Sequence, residues 1–219
     1  MKIGIVGANG VVGKEMSRLF GSLAVRYDIN GLGTKETINE CQVVFVCVPT
    51  NMRQEDCKCD TSIVESVLDW IEADVVVLRS TVEPGTVDRL KEHYPSKRIV
   101  MNPEYIGESI NHPLVESKNR SFVILGGDRK DTERVIEAYH CVFNASVKFM
   151  QVTAKEAEVI KYCENSFIGT YVTFCNEYYE ICKAHGVDWS VVREGFLLDP
   201  CMSAFFTLVY RGNRGFGGK

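Results

Sequence analysis

Three glycines in the run GIVGANGVVGKEM, Gly7, Gly10 and Gly13, stand between an apolar β-branched stretch and a stretch with helical spacing. Glycine permits a tight turn there. It also lets backbone N–H groups come close to a pyrophosphate at the positive end of the helix that follows. Asn9 and Val11 complete the turn. Asp28 closes the next apolar stretch, 15 residues after Gly13. A carboxylate in that place accepts the two ribose hydroxyls of NAD and repels the extra phosphate of NADP. Strand, glycine turn, helix and acid together predict a dinucleotide site, although G-x-x-G-x-x-G is one residue longer than the usual fingerprint. Val48, Pro49 and Thr50, and then Ser80 and Thr81, fall where two further apolar runs end. In an open α/β sheet that is the edge that meets the ligand. Glu104 and Glu108, in MNPEYIGES, could act as a base or orient a water. Lys161 and Asn165 share a helical face at i and i+4, and together can hold a developing oxyanion. Each has a plainer reading: a structural turn, a helix cap ahead of Pro84, solvated loop charges, a surface pair.

Elements must exist to bring these residues together. Seven short runs rich in β-branched residues cover 2–6, 23–28, 42–48, 74–80, 98–101, 121–127 and 146–150, with helical stretches such as 62–72 and 130–143 between several of them. Continuous apolar strands alternating with helices predict an α/β fold, a doubly wound, mainly parallel Rossmann-type sheet covered on both faces. Near residue 153 the pattern changes. From about Ala154 to His185 there is no proline and a single glycine, Gly169, with apolar residues at helical spacing. That predicts one helix of about 30 residues, roughly 45 Å long, and then a short helix after Asp188. The expected organisation is a cofactor domain over 1–152 and a connecting helix with a small helical segment over 153–219. A stretch holding Phe167, Tyr171, Val172, Phe174, Tyr178 and Tyr179 is apolar on more than one face, which predicts a homodimer built along it.

Composition narrows the function classes. The 219 residues are 45% hydrophobic and 25% charged, enough for a sizeable core. A net charge of −4 argues against a general nucleic-acid binder. No apolar run approaches the roughly 20 residues of a membrane span, and the glycine-rich start reads as strand and turn rather than a signal peptide. Nine scattered cysteines, an odd number, suggest reduced thiols and a cytoplasmic protein. Cys57 and Cys59 sit in a polar stretch without two more ligands at metal spacing, so no metal is expected and a solvent loop is the plain reading.

In order along the chain, the glycine turn, VCVPT, STVEPGT, NPEYIGES, EAEVIKYCENSF, the pair Asn176-Glu177 and finally GFGG resemble the UDP-glucose/GDP-mannose dehydrogenase family, the nucleotide-sugar 6-dehydrogenases. The resemblance spans essentially the whole chain. It implies two hydride transfers to NAD that take a sugar 6-hydroxymethyl to a carboxylate, with a cysteine holding the aldehyde as a thiohemiacetal and then as a thioester that is hydrolysed. On the matching positions Thr81 and Glu108 would handle water and protons, Glu104 would shape the site, and Lys161 and Asn165 would stabilise the oxyanion. Tyr105, Ile106, Gly107 and Glu108, with Phe216 and Gly217 of the glycine loop, would line the sugar site. In the family, GFGG is followed by one variable residue and then the catalytic cysteine, which sets that thiol one position past Lys219 and a substrate domain beyond it. The 219 residues are therefore expected to hold the cofactor and part of the site without completing the reaction. Where the family often has Arg before the second Glu the chain has Gly107, and where it often has DPR the chain has Asp199-Pro200-Cys201. These departures leave the sugar and the nucleotide open. A β-hydroxyacid dehydrogenase, which also pairs a Rossmann domain with a helical Lys/Asn pair, and a non-catalytic NAD-binding module are the alternatives.

Overall fold

Runs of four Val, Ile or Leu residues bounded by turn formers favour short strands buried on both sides. All seven expected runs become strands. The computed structural model describes residues 1–106 and 120–202. The described order is β1 (Ile3–Val6), α1 (Val11–Phe20), a 3-10 turn (Gly21–Leu23), β2 (Ala24–Tyr27), α2 (Lys35–Asn39), β3 (Val43–Val46), α3 (Ser62–Leu68), β4 (Val75–Leu78), α4 (Thr86–His93), β5 (Ile99–Met101), β6 (Phe122–Gly126), α5 (Arg129–His140), β7 (Lys148–Val152), α6 (Ala154–Ala184) and α7 (Trp189–Phe196). β1 to β6 are one to three residues shorter than the apolar runs, and β7, of the same length as its run, starts two residues later, at Lys148.

The sheet runs β2-β1-β3-β4-β5-β6-β7. β2, β1, β3, β4 and β5 are parallel; β6 joins β5 antiparallel through Met101 and Gly126, and β7 is parallel to β6. Helices cover both faces. On one, Val44, Val46, Val76 and Leu78 meet Ile38 of α2, Val64 and Leu68 of α3, Leu90 of α4 and Ala157 of α6. On the other, Ile3, Ile5, Phe45 and Val77 meet Met16 and Phe20 of α1 and Val135 and Tyr139 of α5. This is the expected doubly wound, mainly parallel arrangement. After β1 the chain goes to one side of it for β2 and to the other side for β3, so the topological switch lies between β1 and β3. Ligand crevices form beyond the carboxyl ends of strands at such a point.

Two compact units divide at Lys161 and Tyr162. The expected boundary, between 152 and 153, falls earlier, because Ala154 and Ala157 at the start of α6 belong to the core of the first unit. α6 has 31 residues, as its unbroken periodicity requires. In the second unit α6 and α7 pack around Cys175, Cys182 and Trp189, and Asp188 starts α7 by accepting a hydrogen bond from the Ser190 amide. Among the described residues, no helix is long and apolar enough to cross a membrane.

Candidate functional site

The glycine turn occupies the switch point. Gly7 has φ +80°, and a Cβ on it would collide with the Cys47 carbonyl at the end of β3; a Cβ on Gly13 would collide with the Gly7 carbonyl. These two glycines are therefore required by the protein's own backbone. Gly10 differs. Its φ is −71°, and a Cβ there would meet only Gly7 O at 3.4 Å and Cys47 O at 4.0 Å. The packing of the chain leaves room at Gly10, and the space above it is where a phosphate would come close. Gly10 caps α1 with no side-chain hydrogen bond, and the first turn of α1 carries no acidic residue. The positive end of α1 is thus left for an outside acceptor. Asn9 and Val11, both exposed, flank that end.

Asp28 follows β2 and is buried. Its Oδ2 accepts from the Asn9 amide at 3.0 Å and its Oδ1 from the Asn30 amide at 3.1 Å. Gly7 and Ala8 donate their amides to the Tyr27 carbonyl at 3.0 and 3.1 Å. The acid thus clamps the glycine turn to the end of β2, and each carboxylate oxygen keeps a lone pair for a hydroxyl. A fixed anion beside the α1 N-terminus, with open space over Gly10, fits NAD.

Hydroxyls tie the ends of β3 and β4 together. Ser80 Oγ donates to the Val48 carbonyl at 2.5 Å, and Thr50 Oγ1 donates to the Thr81 carbonyl at 2.6 Å. Ser80 is therefore not a helix cap. The Thr81 hydroxyl is half-exposed and bonded to none of the described residues. Pro49 is exposed beside them. Cys59 corrects the expectation of a solvent loop. Cys57 is exposed, but Cys59 is half-buried: its amide donates to Glu83 Oε1 at 3.1 Å and its thiol to the Thr50 carbonyl at 3.5 Å. Burial raises the Cys59 pKa, so its thiol is a poor nucleophile.

Glu104 does not stand free at the strand edge. It is buried between two buried guanidiniums: Arg79 pairs with its Oε2, and Arg120 Nη2 lies 3.0 Å from its Oε1. The amides of Tyr105 and Ile106 both donate to Oε1 at 2.6 Å. A carboxylate so saturated with donors is a poor base, and of the two roles considered for Glu104 the geometry suits shaping the site. Arg79 reaches further, to Asn102 Oδ1 at 2.5 Å, which also accepts from Tyr139 at 2.6 Å. Burial works to lower the Arg79 pKa, but the facing Glu104 charge, its hydrogen bond, and the nearby Tyr139 and Cys47 together offset it, and the net shift is upward. Lys161, also buried, sets its Nζ 4.5 Å from the centroid of the Tyr105 ring. Ile106 is buried next to it.

Sequence reasoning did not pick out Arg79, Asn102, Arg120 or Tyr139, which come from four separate stretches. It also passed over Glu158. That carboxylate accepts from the Gly85 amide at 2.5 Å and the Val87 amide at 2.8 Å, so α6 supplies the N-terminal cap of α4. Asn165 lies in the second unit, half-buried. Gly107, Glu108, Phe216 and Gly217 lie outside the described residues.

A doubly wound sheet with a glycine turn at its switch point and an acid at the end of the next strand defines the class: a Rossmann-type NAD-binding domain. Residues 23–144 match the NAD binding domain of the UDP-glucose/GDP-mannose dehydrogenase family, and residues 155–219 match its central domain. The chain belongs to that family. It is 29% identical over 199 residues to the UDP-glucose 6-dehydrogenase of Rhizobium meliloti, covering 84% of this chain and 44% of the relative. It is 30% identical over 152 residues to UDP-glucose 6-dehydrogenase TuaD of Bacillus subtilis, covering 66% and 32%. The chain thus spans less than half the length of these relatives. Among solved structures it resembles the GDP-mannose dehydrogenase of Pseudomonas aeruginosa, with TM-score 0.76 and 25% identity over 95% of this chain and 59% of that one. The fold is also that of a UDP-glucose dehydrogenase from the archaeon Pyrobaculum islandicum, with TM-score 0.78 and 21% identity over 94% and 58%.

Proposed function

We propose that the chain is the NAD-holding part of a nucleotide-sugar 6-dehydrogenase, and that it prefers NAD to NADP. The observation that carries this reading is the uncapped α1 N-terminus beside the clamped Asp28 carboxylate. Gly10 and its neighbouring amides take the pyrophosphate, Asp28 the ribose hydroxyls, and Val48, Pro49, Thr50 and Ser80 flank the bound dinucleotide. NAD, when bound, accepts the hydride from the sugar alcohol. Thr81 offers its uncommitted hydroxyl to that alcohol or to a water. Lys161, with Asn165 and Glu108, meets the charge and the proton that the reaction moves. Tyr105, Ile106, Gly107, Phe216 and Gly217 line the sugar side. The covalent oxidation of the aldehyde belongs to the thiol that the resemblance sets beyond Lys219.

Calorimetric titration of the purified chain tests this. NAD is expected to bind more tightly than NADP, and Asp28→Ala to weaken NAD by about 1–3 kcal/mol, as for loss of a charged hydrogen-bond partner. Equal affinity for the two cofactors overturns the preference. Residues 1–219 alone are expected to bind NAD without steady NADH production from UDP-glucose, UDP-N-acetylhexosamines or GDP-mannose; sustained turnover would move the nucleophile to Cys201, which is exposed. The same samples should scatter light as a dimer of the 24.6 kDa chain, since Phe167, Phe174, Tyr178 and Ile181 are exposed along α6; a monomer would remove α6 as a sufficient contact.

A further inference from the structure

The proposed chemistry makes no direct use of the two arginines around Glu104, yet burying two cations and one anion is costly unless it organises something. What it organises is a short piece of backbone. Successive amides, of Tyr105 and Ile106, converge on the single oxygen Oε1 of Glu104, which Arg120 also holds at 3.0 Å, while Arg79 holds the other oxygen. Two amides aimed at one fixed atom leave the backbone between them little freedom, and so set the direction of the Tyr105 side chain. The ring is steadied from its edge by Phe122, with centroids 5.0 Å apart and an interplanar angle of 72°. Lys161 Nζ lies over it at 4.5 Å.

We propose that Arg79 and Arg120 are positioning residues for Lys161, acting through the Glu104 carboxylate and the face of the Tyr105 ring. Lysine is a point charge on a flexible four-carbon stem, and it needs an external constraint to be placed to within an ångström. An aromatic face supplies one. It attracts the ammonium through its quadrupole. The role in catalysis rests on the reading of Lys161 given above; the placement of the ammonium does not.

Lysine labelled with 13C at Cε reports that placement directly, the Lys161 signal being assigned by its loss in Lys161→Arg. A methylene beside an ammonium over a ring face is shifted upfield by the ring current. Tyr105→Phe is expected to keep the upfield displacement and Tyr105→Leu to abolish it. Glu104→Gln is expected to diminish it in protein that melts cooperatively. If Glu104→Gln does not fold, Arg120→Met, which leaves the balanced Arg79–Glu104 pair, serves in its place with the same expectation. A displacement that survives in the folded Glu104 or Arg120 variant overturns the positioning role, and one that survives Tyr105→Leu overturns the ring contact. Failure of the unmutated chain to bind NAD would sink the functional reading alone, since the lysine spectra are recorded without cofactor.

Discussion

The glycine turn after β1 and the carboxylate under the 102–106 segment both fix a stretch of backbone at the same edge of the sheet, by opposite means. The turn is built from what is missing. Gly7 and Gly13 lack the Cβ that would strike a neighbouring carbonyl, and the amides at the start of α1 have no capping side chain. The other region is crowded. One buried acid takes two guanidiniums and two amides, and Asn102 and Tyr139 complete the network. The first arrangement leaves donors for a ligand; the second spends its donors inside the protein. A single edge can therefore hold one part open for a cofactor and another rigid.

The strongest way to break this comparison is to empty the crowded side. Glu104→Ala leaves two buried guanidiniums facing each other, and is expected to cost about 3–5 kcal/mol in urea denaturation. Replacing the set together, as Arg79→Met with Glu104→Leu and Arg120→Met, should recover part of that, because no charge is then left unpaired although the Tyr105 and Ile106 amides lose their acceptor. A small loss in Glu104→Ala would mean that water reaches the cluster.

On the open side the two kinds of glycine should separate. Gly13→Ala forces a Cβ onto the Gly7 carbonyl and should lower stability by about 1–3 kcal/mol, the usual cost of overpacking. Gly10→Ala should stay within about 0.5 kcal/mol in stability and yet weaken NAD in calorimetry, because the added methyl stands where the phosphate approaches. Equal stability losses at the two positions would erase the distinction.

The smallest effect sharpens the crowded side. Glu158 also serves backbone amides, those of Gly85 and Val87, but without an arginine against it. Burial raises its pKa above the ordinary carboxylate value by more than the two amide bonds lower it. A carboxyl with a raised folded-state pKa contributes stability below its unfolded pKa and loses it as pH rises through the folded value. Glu158→Gln should therefore gain in melting temperature relative to the unmutated protein between pH 4 and pH 7. A gap independent of pH would mean that the amide bonds offset the burial in full.

Much of the fold was legible along the chain. Seven β-branched runs became seven strands: the inner ones need apolar residues at nearly every position because both faces are buried, a local and repetitive signal, while the edge strands β2 and β7 are only partly buried. The glycine turn was legible for the same reason: Gly7, Gly10, Gly13 and Asp28 lie close together in sequence, and their spacing carries the geometry. α2, with five residues, gave a weaker signal, since it is too short to show a period. The division into compact units at Lys161 and Tyr162 was not legible, because the first turns of α6 look like the rest of that helix in sequence and differ only in what they touch.

The sequence by itself determined the doubly wound sheet, the long helix, the cofactor edge and the candidates Thr81, Glu104 and Lys161, all of them consequences of residue type at short range. Tertiary structure decided what those candidates touch. It put Glu104 among Arg79, Arg120 and two amides and so turned a possible base into a brace, left the Thr81 hydroxyl uncommitted, set the Lys161 ammonium over the Tyr105 ring, and brought Glu158 back across the chain to cap α4. Hydrogen bonds and ion pairs join atoms within about 3 Å whatever their separation along the chain. No local pattern marks residue 79 as the partner of 104, or residue 158 as the cap of a helix that begins at 86.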